Sequence, residues 1–232
     1  MKKLLLVLCL FGGIVSINAN EKVTQKQIES EKHKCLEEKN MESCGFLGFV
    51  YNQEGTKYRD PSLSTKYLTM SCDGGLYHSC FFLGTLLVSE KKNMAINSFK
   101  KGCKGGDTES CGFLGMLYLA EGNSDKVLSE GVSLLEGSCQ KDTVIPCSLL
   151  FDVYMKGITV DKNPKKAIEF AKKACDLGSR DDCYNLGYFY LKGSFVKQNK
   201  NTSKMFLTKG CALGDDESCK RLKQLKTKKE EK

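Results

Sequence analysis

Histidine is scarce in this chain of 232 residues: His33 and His78 are the only two. Zinc sites draw on His and on closely spaced cysteine pairs. The cysteines here pair more widely, so neither a metal site nor a metal-dependent hydrolase is expected. A Ser-His-Asp triad could be assembled only arbitrarily from two histidines, and both are expected on solvated helix surfaces. Past the N-terminus no stretch approaches about 18 apolar residues, which excludes a membrane-spanning helix. Strand-like alternation is absent over any length, so the fold should be all-α. A Gly-rich phosphate loop between strand and helix is missing too, and no cofactor is implied.

The chain also has little net charge once its source is located. The formal balance is +8. Lys2 and Lys3 belong to the leader, and residues 220–232 carry seven positive and two negative side chains. The body between is therefore about neutral. The basic tail reads as a frayed, soluble helix end, and no nucleic-acid partner is expected. The leader, MKKLLLVLCLFGGIVSINAN, has a positive start, an apolar run from Leu4 to Ile17 and a cleavage site at Ile17-Asn18-Ala19. That is the pattern of a secretory signal peptide over residues 1–19. Leu8 before Cys9 argues against lipidation. The mature chain is expected to be secreted or periplasmic, soluble and monomeric.

What the chain has in excess is cysteine. Without Cys9 twelve remain, as Cys35/Cys44, Cys72/Cys80, Cys103/Cys111, Cys139/Cys147, Cys175/Cys183 and Cys211/Cys219. The second members step by 36, 31, 36, 36 and 36 residues. A fixed period in this range signals stacked supersecondary units. The short step marks a deletion between Cys80 and Cys111, where VSEKKN lacks the Gly-containing turn of other repeats. In one continuous helix the two members of a pair would lie about 12 Å apart along the axis. A disulfide needs Cα atoms roughly 4.4–6.8 Å apart. A pair can bridge only if the chain turns back between its members, and segments such as LGSRDD supply that turn. Twelve cysteines allow on the order of 10⁴ connectivities, so sequence alone does not fix the pairing. Spacing and period favour nearest neighbours, with Cys35–Cys44, one residue longer, the weakest case.

Each repeat reads as two helices. After the second cysteine, Leu at +3, a small residue at +4 and Tyr or Leu at +7 recur, which marks one helix face. Gly48, Gly84, Gly115 and Gly187 fill +4, where Gly costs about 1 kcal/mol against Ala; close helix–helix approach would offset that. Phe151 stands there in the fourth repeat, so its packing must differ. Gly55, Gly122, Gly157 and Gly193 are placed to end the first helix. The second helix is clearest in DKNPKKAIEFAKKACDLG. Asn163 is its N-cap and Pro164 its first residue; Ala167, Phe170, Ala171 and Ala174 form its buried face, and Leu177-Gly178 stops it. Asn201-Thr202-Ser203 reads as capping chemistry rather than a glycan site. The expected architecture is a right-handed α-solenoid of about five helix–turn–helix repeats stapled by disulfides. A capping helix covers 20–41, repeats cover 42–77, 78–108 (short), 109–144, 145–180 and 181–216, and a half-repeat with the basic tail covers 217–232.

Positions +2, +5 and +9 face away from this core, toward the concave face of such an array. Position +2 gives Phe46, Phe82, Phe113, Leu149 and Asn185. Position +5 gives Phe49, Thr85, Met116, Asp152 and Tyr188, and +9 gives Gln53, Ala120, Lys156 and Lys192. The stripe is aromatic in its N-terminal half and polar in its C-terminal half, which suits an extended peptide. The alternative is that the rings pack against neighbouring helices. Phe46, Phe49, Phe82, Phe113, Met116, Asp152, Asn185 and Tyr188 are the candidate binding residues.

The stretches AIEFAKKACDLGSRDDCYNLGYFYLKG, FLTKGCALGDDESC and FKKGCKGGDTESCGFLGMLYLAEG resemble the Sel-one-like repeat (SLR), a relative of the tetratricopeptide repeat. They are closer still to the secreted Helicobacter cysteine-rich proteins, whose repeats carry a disulfide at this spacing. The resemblance covers residues 35–219; the deletion after Cys80 and the turn CQKDTVIPC depart from it. It implies a scaffold that binds protein or peptide. It also implies, as the alternative, a penicillin-binding protein with weak β-lactamase activity and a β-lactam or peptidoglycan-related ligand. Known serine β-lactamase chemistry needs S-x-x-K with S-D-N and K-T-G. S-x-x-K occurs at Ser89–Lys92, Ser98–Lys101, Ser138–Lys141 and Ser194–Lys197, as chance allows, and the other two elements do not occur. A carboxylate such as Asp152 or Glu121 could activate water, but no catalytic residue is assigned.

Overall fold

A computed structural model describes residues 23–230, with side chains through Leu225. The leader, its cleavage site and Cys9 lie outside the described residues, as does the end of the basic tail. The described residues form twelve α-helices and no strand. They are α1 (Gln25–Leu36), α2 (Met41–Asn52), α3 (Pro61–Asp73), α4 (Tyr77–Leu87), α5 (Lys92–Lys104), α6 (Thr108–Glu121), α7 (Asp125–Gln140), α8 (Val144–Lys156), α9 (Pro164–Asp176), α10 (Arg180–Lys192), α11 (Lys200–Ala212) and α12 (Asp216–Glu230). They divide into two compact units, one ending at Asp107 and one beginning at Thr108. In each unit every helix packs on the next in sequence.

The turn inside each cysteine pair has a fixed conformation. Three residues past the first cysteine of four pairs the backbone is left-handed, at Gly75, Gly106, Gly178 and Gly214 with φ of 96°, 94°, 103° and 89°; in the longer Cys35/Cys44 turn it is Lys39, four residues past, at φ 56°. Glycine adopts that region freely. The irregular turn CQKDTVIPC reaches it with Asp142, at φ 64°. Around this reversal the Cα atoms of Cys35–Cys44, Cys72–Cys80, Cys139–Cys147, Cys175–Cys183 and Cys211–Cys219 lie 4.7–4.9 Å apart and their sulfurs are bonded. Cys103 and Cys111 are disulfide-bonded as well.

Side-chain caps fix the helix starts. Asn40, Asp60, Ser124, Asn163, Ser179 and Asn199 accept from backbone N–H groups in the first turns of α2, α3, α7, α9, α10 and α11. The cap of α11 is thus Asn199 and not the Asn201-Thr202-Ser203 sequon: Asn201 and Thr202 donate to Asn199 Oδ1. Ser203 points inward, and its hydroxyl donates to the Gly187 carbonyl at 2.7 Å. Ser64 does the same to Gly48 at 2.8 Å. At the other ends, Gly157 and Gly193 are left-handed C-caps, whereas Gly122 is outside the left-handed region.

The two helices of a repeat meet through a size match. A Cβ on Gly48 would lie 2.6 Å from Leu68 Cγ, and one on Gly187 would lie 2.6 Å from Leu207 Cγ. Leu68 and Leu207 each stand four residues before a first cysteine. In the fourth repeat the sizes are exchanged: Phe151 fills the glycine position, Ala171 the leucine position, and both are buried in one cluster. Three ring stacks brace the same interface, Tyr51 on Tyr67, Tyr154 on Phe170 and Tyr190 on Phe206, with centroids 5.6–5.8 Å apart.

The exchange is testable. Ala171→Leu alone overpacks the pair and should destabilise by about 1–3 kcal/mol. Phe151→Gly alone leaves a cavity and should cost about 3–5 kcal/mol. The double variant rebuilds the pairing of the neighbouring repeats, so its loss should fall well below the sum. Additive losses in a thermal-melt cycle would mean that the two side chains do not share a site.

Candidate functional site

The face in question is made by the first helices. In the unit ending at Asp107 these are α2 and α4. Phe46, on α2, is half-buried and packs on the cluster of Ile28, Leu47, Val50 and Tyr51. Phe49 and Phe82, also half-buried, meet edge to face with centroids 6.1 Å apart. Phe82 further meets His78 edge to face at 4.9 Å and Phe81 at 5.4 Å. The rings on this stretch form a layer across two first helices, each with one side covered. His78 is a correction to the sequence reading, which placed it on a solvated surface. Its side chain is 27% exposed, and Nδ1 lies 2.9 Å from the buried Asp107 carboxylate. His33 is on the surface, 68% exposed.

In the unit beginning at Thr108 the first helices are α6, α8 and α10. Phe113 and Met116 on α6 are half-buried. Asp152 on α8 pairs with Lys156 one turn on, at 3.1 Å. Asn185 on α10 is half-buried, and its amide has no hydrogen-bond partner among the described residues. Tyr188 lies against Tyr184 with centroids 6.4 Å apart and carries the Arg221 guanidinium 5.9 Å from its ring centre. The polar end of the stripe therefore offers a carboxylate, an amide and an aromatic face on rigid helices.

A neighbouring cluster was not anticipated. Asp182 is buried at the start of α10, and Ser148 on α8 and the cap residue Ser179 both donate to its Oδ2. Burial pushes this carboxyl above its ordinary range. The two hydroxyls pull it back in part, and the charges of Asp181 and Asp152 add to the upward push. The signal in the sequence was a column: the residue before the second cysteine is Ser43, Ser79, Ser110 and Ser218 in other repeats, and Asp182 here. The S-x-x-K serines offer no comparable pair. Ser98 donates to the Met94 carbonyl and Ser138 to that of Thr108, so both hydroxyls serve helix packing.

The Sel1 repeat profile matches residues 42–76, 147–179 and 181–215. These three segments are Sel1 repeats. No curated protein matches it significantly. Among solved structures, a protective antigen of uropathogenic Escherichia coli strains that displays an SLR fold is 24% identical, with a TM-score of 0.74 over 87% of this chain and 43% of that one. The chain thus spans less than half of that antigen. A Sel1 repeat protein from Oxalobacter formigenes is 18% identical, with a TM-score of 0.70 over 84% of this chain and 88% of that one. Cysteine-rich protein B of Helicobacter pylori is 23% identical over 73% of this chain and 100% of that one, at a TM-score of 0.30. The first two likenesses establish the fold. Disulfides of this density belong to an oxidising, extracytoplasmic compartment, and no described helix is long and apolar enough to cross a membrane.

Because the folded state raises the affinity of Asp182 for its proton, protonation favours folding. The cost of the buried charge is absent at low pH and appears as pH rises through the folded-state value. Asp182→Asn should therefore gain in Tm relative to the parent on going from pH 4 to pH 7. A difference in Tm that is the same at both pH values would contradict this account.

Proposed function

We propose that the chain is an exported scaffold that binds an extended polypeptide on the first helices of the unit beginning at Thr108. Residues 1–19 serve as a cleaved leader, and the product is a secreted or periplasmic monomer. The observation that carries the reading is Asn185. A half-buried amide with unused donors and an unused acceptor, fixed on a helix, suits the two-sided hydrogen bonding of a peptide group. Asp152 and Tyr188 already hold basic side chains, Lys156 and Arg221, and a basic residue of the peptide would exchange with them. In the same unit Phe113 and Met116 supply apolar contact; in the unit ending at Asp107 the rings of Phe46, Phe49 and Phe82 form an apolar face of their own.

The sequence resemblance also implies β-lactam hydrolysis. The serine–carboxylate contact described above, Ser148 with Asp182, is shared with the cap residue Ser179 and includes no lysine, and penicillin turnover by the oxidised protein, followed across a gel-filtration peak, is expected to be flat.

The binding reading is tested with a library of unstructured peptides displayed on phage and selected on the oxidised protein. Enriched sequences should carry a basic residue. Asp152→Ala and Asn185→Ala should each weaken the selected peptide about tenfold with little change in Tm, since an exposed pair such as Asp152–Lys156 contributes about 0–1 kcal/mol. Selected peptides that bind both variants as tightly as the parent would sink the assignment.

A further inference from the structure

The loops joining first to second helix in the last two repeats share one conformation. Gly157 and Gly193 leave α8 and α10 with φ of 76° in both cases. Two residues on, Thr159 and Phe195 are left-handed as well, at 61° and 63°. Val160 and Val196 then pack on the core. Asn163 and Asn199 close the loops, donating to the Tyr154 and Tyr190 carbonyls at 2.8 and 2.9 Å. A bulky residue seldom holds a left-handed backbone. At Phe195 that backbone turns the ring outward, 55% exposed, with its edge on Phe189 at a centroid distance of 5.4 Å. Ile158, at the tip of the preceding loop, is 39% exposed.

Charge around these tips is nearly all of one sign. Residues 156–165 hold Lys156, Lys162 and Lys165 against Asp161, and residues 192–204 hold Lys192, Lys197, Lys200 and Lys204 with no acid. Lys156 is paired with Asp152. The other six lysines have no ion-pair partner among the described residues. Other lysines on the same second helices, α9 and α11, are paired: Lys166, Lys173 and Lys209 with Glu136, Asp142 and Asp176. The loop edge is thus an uncompensated cationic patch with two protruding apolar side chains.

We propose that this edge docks on an anionic phospholipid surface, with Phe195 and Ile158 entering the boundary between headgroups and acyl chains and the lysines meeting the phosphates. The proposal is independent of the peptide-binding face. A folded acidic partner would have to present pockets matched to both protrusions, whereas a bilayer interface yields around them. Lysines with apolar stems and an aromatic wedge suit that boundary, and juxtaposed lysines are drawn to it by its surface potential.

The test uses the oxidised chain from residue 20 onward, which keeps every described helix. It should co-sediment with vesicles of phosphatidylcholine and phosphatidylglycerol, and not with phosphatidylcholine alone. Asn tolerates the left-handed backbone better than Phe. Phe195→Asn should therefore hold or raise Tm while lowering the partition coefficient about tenfold. Lys197→Glu with Lys200→Glu should lower it by about tenfold or more. Failure to sediment with anionic vesicles overturns the proposal. So does vesicle binding indifferent to Phe195→Asn, which is mere charge adsorption. A poly-glutamate peptide that displaces the vesicles and itself depends on Phe195 would assign the edge to an acidic polypeptide, and would overturn the lipid assignment too.

Discussion

A cysteine bonded to another eight residues away leaves the chain one way to travel between them. It must finish a helix, reverse through a left-handed residue and start the next helix with its first turn alongside. Four of the turns make that reversal with glycine, one with Asp142 and the longer Cys35/Cys44 turn with Lys39. The bond thus sets where the second helix of one repeat ends and where the first helix of the next begins. With both ends set, the axial register between neighbours follows. The exposed pairs Lys101–Asp73, Lys173–Asp142 and Lys209–Asp176 recur at this register. Such pairs are worth little as stability, and they report the register rather than create it.

Within a repeat a different constraint governs. The helices approach so closely that one of two facing positions must be nearly empty. Gly48 with Leu68, and Gly187 with Leu207, meet it one way, and Phe151 with Ala171 meets it the other. What recurs is a large side chain facing a small one, as Phe99 also faces Gly84, and not a residue type. A departure from the repeat at one column is therefore a prompt to look for its complement in another.

This distinction explains what could be read from the chain and what could not. Helix content, the turn inside each cysteine pair and the caps at Asn163 and Ser179 are local, set by residues within about two turns of one another. Periodicity exposes them. The Phe151 anomaly was visible, but its complement was not, since Ala171 is an ordinary buried alanine unless the columns of all repeats are compared. The pairing of His78 with Asp107, 29 residues on, left no periodic trace. Nor did the contact of Ser148 with Asp182, 34 residues on. The sequon Asn201-Thr202-Ser203 carries the residue types of a cap, yet Asn199, two residues earlier, accepts from Asn201 and Thr202. The candidate binding positions were legible as a stripe. Their state was not: every one of the eight is half-buried, and a helical wheel cannot tell a ring lying on its neighbour from one standing in solvent.

The same logic bears on where recognition can reside. Disulfide, turn, cap and size match consume nearly every position with a repeating identity, and the hydroxyls of Ser64, Ser98, Ser138 and Ser203 are spent on backbone carbonyls. Chemistry able to distinguish one partner from another must come from positions that vary between repeats. Two sets qualify. One is the outer stripe of the first helices, where Asp152 and Asn185 stand at positions held by phenylalanine in other repeats and Tyr188 adds a hydroxyl to its ring. The other is the loop edge, where Phe195 stands in place of Thr159 within an unchanged backbone. In both sets the scaffold holds a side chain where its own packing does not need it: Asn185 with an unused amide, Phe195 with an outturned ring. Groups held on packed helices lose little conformational freedom when they meet a partner.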